Sequence, residues 1–117
     1  RLPAVGLAAA VVAGGAGRFS TQLMESAAPC LVAKGGAEGL ECAGVVESGV
    51  GVAVKCEDGA SRAAGPAMLA VLDRLGALPE VARNRLDALR RPLLHNAAGL
   101  EVGVIEVEME VAAPAGP

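Results

Sequence analysis

Apolar and polar positions change their period several times along the chain, and each change marks an element. Residues 4–13 are almost wholly apolar and read as the end of a helix, broken at Gly14 to Gly17. A short helix follows, with Ser20 or Thr21 as its cap, and Pro29 forbids its continuation. The period then shortens. "CLVAKGGAEG", "LECAGVVESG" and "VGVAVKCEDG" are rich in Val, Leu, Cys or Ala and each closes on glycine. They predict three antiparallel strands joined by tight turns at Glu38-Gly39 and Ser48-Gly49, with a third turn at Asp58-Gly59.

Helical spacing returns with Met68, Leu69, Val71, Leu72 and Leu75, after a Pro66 that suits a first turn. Gly76 and Pro79 separate this helix from "PEVARNRLDALRR", whose apolar face is predicted at Val81, Leu86 and Leu89. Both helices are expected to cover the sheet. Strand-like alternation resumes in "LEVGVIEVEMEV", but its phase slips between Val104 and Ile105. One bent strand with a bulge at that point is predicted, with Glu106, Glu108 and Glu110 facing water. The fold class is α+β, an antiparallel sheet flanked by helices.

Composition adds limits to this pattern. At 117 residues, 53% of them hydrophobic and 20% charged, the chain has the size and apolar content of one domain. Its expected extent is residues 1–113, with a disordered tail at 114–117. Phe19 is the single aromatic residue, so the core must come from Val, Leu and Ala. Arg1 opens the sequence without a methionine and leads directly into an apolar run. This is the look of a C-terminal segment of something longer. That run is shorter than the roughly 20 residues a bilayer span needs, so no membrane partner is expected.

Net charge is −3, and the basic cluster Arg83 to Arg91 contains Asp87 and no aromatic stacking partner. Nucleic-acid binding is therefore not expected. Cys30, Cys42 and Cys56 have no zinc-type spacing and leave an odd count, which fits reduced core thiols in a cytoplasmic protein.

The chemistry concentrates at "LVAKGGAEG". On a strand, Cys30, Val32, Lys34, Gly36 and Glu38 share one side, and Leu31, Ala33, Gly35 and Ala37 the other. Lys34 thus leaves an otherwise apolar face, and two glycines follow it, as where a ligand or another backbone comes close. Bare amides there can polarise a carbonyl oxygen. The competing reading is a solvated strand-end lysine paired with Glu38 over a glycine bulge. Lys55, followed by Glu57 and Asp58, reads as a solvated hairpin end, and His95 as a turn or core residue without a base's partner. The sequence contains no Ser-x-x-Lys pair, no GxSxG and no HExxH.

Taken in order, "GAGRFSTQLM", "LVAKGGAEGLECAG", "GVGVAVKCEDGASRAAGPAMLAVLDRLG" and "RRPLLHNAAGLEVGVIEV" resemble the C-terminal part of the asparaginase II family, the rhizobial-type asparaginases. The resemblance implies the C-terminal portion of a serine β-lactamase and glutaminase-like fold. It also implies hydrolysis of L-asparagine to L-aspartate and ammonia through a serine acyl-enzyme. It places Lys34 in the catalytic group, the Ala37 amide as an oxyanion donor, and Gly35, Gly36 and Glu38 along the substrate pocket.

The nucleophilic Ser-x-x-Lys pair, and the Cys/Lys zinc site of some members, would lie in a missing N-terminal portion of the same protein. No metal ligand or cofactor is assigned within this chain, and the chain alone is expected to be inactive. The expected partners are a small-molecule amide substrate, that N-terminal portion and a second copy in a homodimer. The rival reading is a non-enzymatic α+β module used for binding or assembly.

Overall fold

The structure, a computed structural model, describes residues 18–110. The helix expected over 4–13, its glycine break and the tail at 114–117 lie outside the described residues. The chain is α+β: helix α1 (Phe19–Ala27), strands β1 (Leu31–Gly36), β2 (Leu40–Val45) and β3 (Val50–Lys55), helices α2 (Ala64–Arg74), α3 (Glu80–Arg85) and α4 (Asp87–Arg90), and strands β4 (Leu93–His95) and β5 (Glu101–Val104). Strands β1-β2-β3 form one antiparallel sheet in that order, and β4-β5 a separate pair.

The glycine-closed segments do form the expected meander. Gly39, Gly49 and Gly59 have φ of 74°, 73° and 73°, the left-handed region in which glycine avoids the Cβ penalty. The first connection is longer than a two-residue turn. Gly36 pairs with Leu40, so Ala37, Glu38 and Gly39 form a three-residue loop and Gly35 stands opposite Glu41. Glu38 also has positive φ, 59°, a costly conformation for a residue with a Cβ. The Lys55 ammonium donates to the Glu38 carbonyl and stands 3.9 Å from its carboxylate, which ties the loop to the end of β3.

Helices α1 and α2 cover the face of the sheet that carries Leu31, Ala33 and Ala43. Leu23 and Met24 from α1 and Met68, Leu69 and Leu72 from α2 fill the space between and are almost completely buried. Phe19 packs so closely on α2 that a Cβ on Gly65 would come 3.1 Å from its ring. Gly76 ends α2 as a helix-closing glycine: its own N–H reaches the Asp73 carbonyl at 3.0 Å, and that of Ala77 reaches Leu72 at 2.9 Å.

Tertiary contact revised several expectations. Ser20 and Thr21 do not cap α1; Arg18 occupies the cap position without a side-chain bond, and both hydroxyl residues are buried inside the helix. The arginine-rich segment breaks into α3 and α4 at Leu86, and it is Ala82, fully buried, that faces the core while Val81 is 61% exposed. A two-helix path lets Arg83 and Arg90 both reach Asp73 on α2, at 3.0 and 3.3 Å. Leu75, placed on the α2 stripe, is half exposed.

The final strand is shorter than its alternation suggested. Only Glu101–Val104 is strand; it pairs with β4, which the sequence pattern did not indicate, and the irregularity falls opposite Leu94/His95 instead of after Val104. Residues 105–110 find no strand partner among the described residues, although Glu106, Glu108 and Glu110 do face water. His95 lies exposed on β4.

Candidate functional site

Strand β1 is an edge of its sheet, and at its C-terminal end the chain surrounds a cavity of about 870 Å³. The start of α1 supplies Arg18, Phe19 and Ser20; the end of β1 supplies Lys34, Gly35, Gly36 and Ala37; Ser61 and Arg62 enter from the segment before α2, and Leu94 and Ile105 from the β4-β5 hairpin side. Four of the five residues singled out in "LVAKGGAEG" therefore meet at one opening. The fifth, Glu38, is not among the residues that line it and is paired with Lys55 in the loop.

Lys34 is exposed, on the sheet face opposite the core, in cross-strand register with Cys42. Its ammonium donates to the Gly35 carbonyl at 3.2 Å. The cavity is not confined to Lys34's face, because Gly35 and Glu41 belong to the core-side face at the same strand end. It wraps the free edge of β1. The lysine's pairing with Glu38, one of the two sequence readings, does not occur; Lys55 takes that carboxylate instead.

The two glycines have a cross-strand cause. A Cβ on Gly35 would sit 3.2 Å from Glu41 Oε1, and a Cβ on Gly36 would sit 2.8 Å from Leu40 Cδ2. Bare backbone at these positions lets β2 side chains lie against β1. Glu41 is thereby drawn under the edge of the sheet, where burial raises its carboxyl above the ordinary range; the positive charges of Arg18 and Lys34 oppose this without cancelling it. Its Oε2 is shut off from solvent and accepts no hydrogen bond among the described residues. Sequence reasoning passed over Glu41. Only the strand register, which sets it against Gly35, could have marked it.

At the rim, Arg62 is held by Asp58 at 2.7 Å, and the Asp58 carboxylate also accepts the Ala60 N–H at 2.9 Å. The Ala60 amide foremost, with the Arg62 guanidinium helping, keeps the Asp58 carboxyl below its ordinary range. The arrangement offers a ligand cations, free strand-edge backbone and one poorly solvated carboxylate. Among the described residues no group of three His, Cys, Asp or Glu side chains is placed to hold a metal, and the three thiols are free and half-buried, so these residues do not fit a zinc site. No helix among the described residues is long and apolar enough to cross a membrane.

Comparison with curated proteins found no match. A family model described as L-asparaginase II matches residues 4–107 of the 117.

Proposed function

The chain belongs to the L-asparaginase II family, which supports an asparaginase-like function, and from that premise we propose that it supplies one wall of an amidohydrolase site. In this reading the reaction converts L-asparagine and water to L-aspartate and ammonia through a serine acyl-enzyme. A serine oxygen attacks the amide carbon, the amide nitrogen takes up the serine's proton and leaves as ammonia, and water then cleaves the ester to give the acid and restore the serine. The sheet and its helices are the C-terminal portion of a serine β-lactamase-like fold.

Lys34 presents a positive charge beside the nucleophile and the developing oxyanion. The Ala37 amide, at the end of β1, is the oxyanion donor. The free strand edge at Gly35 and Gly36 holds the substrate backbone, and Glu38 acts on the pocket only through the loop it shares with Gly39. The 117 residues contain no Ser-x-x-Lys pair. The nucleophile, and any zinc with its ligands, come from other sequence of the same gene product, and the 117 residues alone release no ammonia.

The observation that carries the proposal is the convergence of Lys34, Gly35, Gly36 and Ala37 on one cavity. The test is ammonia release from L-asparagine by the complete gene product and its Lys34→Ala variant. Because Lys34 is exposed, the variant should fold normally, and turnover should fall by about 10³-fold or more, as for members of a coupled catalytic group. Near-parental turnover would remove Lys34 from the mechanism.

A further inference from the structure

We infer that Glu41 receives the ammonium group of the substrate, so that the cavity at the edge of β1 selects amides of α-amino acids over the same amides lacking the amino group. This rests on the amidohydrolase reading of that cavity.

The charged groups lining the cavity are unequal in number and in condition. Arg18, Lys34 and Arg62 are cationic; Glu41 is the one carboxylate among the described lining residues. Arg62 is already engaged by Asp58, whereas Arg18 and Lys34 act on Glu41 only through their charge. Neither donates a hydrogen bond to its inaccessible Oε2, which has no donor among the described residues. Buried polar atoms in native structures are nearly always hydrogen-bonded, so the Glu41 carboxyl group has acceptor capacity that the described side chains around it do not use.

A ligand that enters the cavity beside Glu41 meets a carboxyl group that the described side chains around it do not bond, and it is favoured if it brings N–H donors. A carboxylate ligand alone would satisfy the cations and leave Glu41 unpaired and repelled. An α-amino acid amide carries both: its carboxylate answers Arg18, and its ammonium brings three donors and a compensating charge to Glu41.

The position is built into the sheet. The register sets Glu41 directly across from Gly35, and the lack of a side chain at Gly35 leaves room for Oε1, which a Cβ would approach to 3.2 Å. Glu41 therefore stands beside the same strand edge that carries Lys34 and Ala37. It touches neither the scissile bond nor its oxyanion in this arrangement; its contribution is selection.

The experiment compares kcat/KM for L-asparagine and for succinamate, the same amide without its ammonium, in the complete gene product and its Glu41→Gln variant. Loss of one charge-assisted hydrogen bond should lower the asparagine value about 10- to 100-fold while succinamate stays within about threefold. Circular dichroism establishes that the variant is folded, and calorimetry with L-aspartate and succinate reads the same discrimination on the products.

Equal losses for both substrates, or an unchanged ratio in Glu41→Gln, would overturn the role of Glu41 and leave the amidohydrolase reading intact. Hydrolysis of neither substrate by the parent protein would overturn both.

Discussion

Alanine in place of Gly39 should cost the fold far more than alanine in place of Gly49, although the two glycines have nearly the same backbone conformation, with φ of 74° and 73°. A Cβ in the left-handed region costs about 1–2 kcal/mol, and the stiffer unfolded chain returns about 0.4–1 kcal/mol. Both contributions are common to the two sites, so each should lose about 1 kcal/mol from this source.

The surroundings make the difference. At Gly49 an added Cβ meets nothing within 4 Å, whereas at Gly39 it meets the Ala60 carbonyl at 2.6 Å and Cys56 Cβ at 2.9 Å. Neither can withdraw easily. Cys56 N–H is bonded to the Gly39 carbonyl at 3.0 Å, and Ala60 N–H to Asp58 at 2.9 Å. Forcing extra volume into such packing costs a further 1–3 kcal/mol or so, which brings the Gly39 total to about 3 kcal/mol.

Urea unfolding followed by circular dichroism reads both variants on one scale. With a slope near 1.5 kcal/mol per molar, Gly39→Ala should lower the midpoint by about 2 M and Gly49→Ala by less than about 1 M, with unchanged slopes. Equal midpoint shifts would mean that the contact at Gly39 yields freely, and the reasoning from close approach would fail. The outcome bears on the site as well, since this loop sets the register that places Glu41 against Gly35.

Three other expectations concern charge. Because burial raises the Glu41 carboxyl, the native state holds its proton more tightly than the unfolded chain; stability from this group falls as pH rises through the ordinary glutamate range, and Glu41→Gln should flatten that fall in melts between about pH 4 and 7. A steeper fall in the variant would contradict it. Asp58 has the opposite sign: its lowered carboxyl contributes stability above the ordinary aspartate value that disappears as pH drops through the folded one, so Asp58→Asn should lower the melting temperature near neutrality and converge with the parent in acid. Asp73→Ala removes the partner of both Arg83 and Arg90, and double-mutant cycles with each arginine should show couplings of about 0.5–1 kcal/mol that shrink in salt; zero coupling would make these bridges incidental.

The meander and helix α2 were legible because the features that specify them are local. Alternation identifies a strand before any partner is known, and glycine at the left-handed positions Gly39, Gly49, Gly59 and Gly76 places the breaks. Lys34 and its glycines stood out for the same reason: a cation next to bare backbone is visible in nine letters. Where the pattern misled, the competing influence came from elsewhere in the chain. Asp73 rewards a break between α3 and α4 that restores neither apolar periodicity nor propensity, and β5 ends where β4 runs out.

Glu41 shows the limit most clearly. In "LECAG" it is one acidic residue among many, and a two-residue turn at Glu38-Gly39 would have set it across from Gly36 on the outer face with Lys34. One additional residue in the loop sets it across from Gly35, on the core side, where burial unbalances its charge. Side-chain period and turn chemistry are properties of neighbours along the chain, so the amino-acid order carries them. Which carboxylate loses its water depends on a shift of one position between strands, and that was settled only when the hairpin closed against α1 and α2.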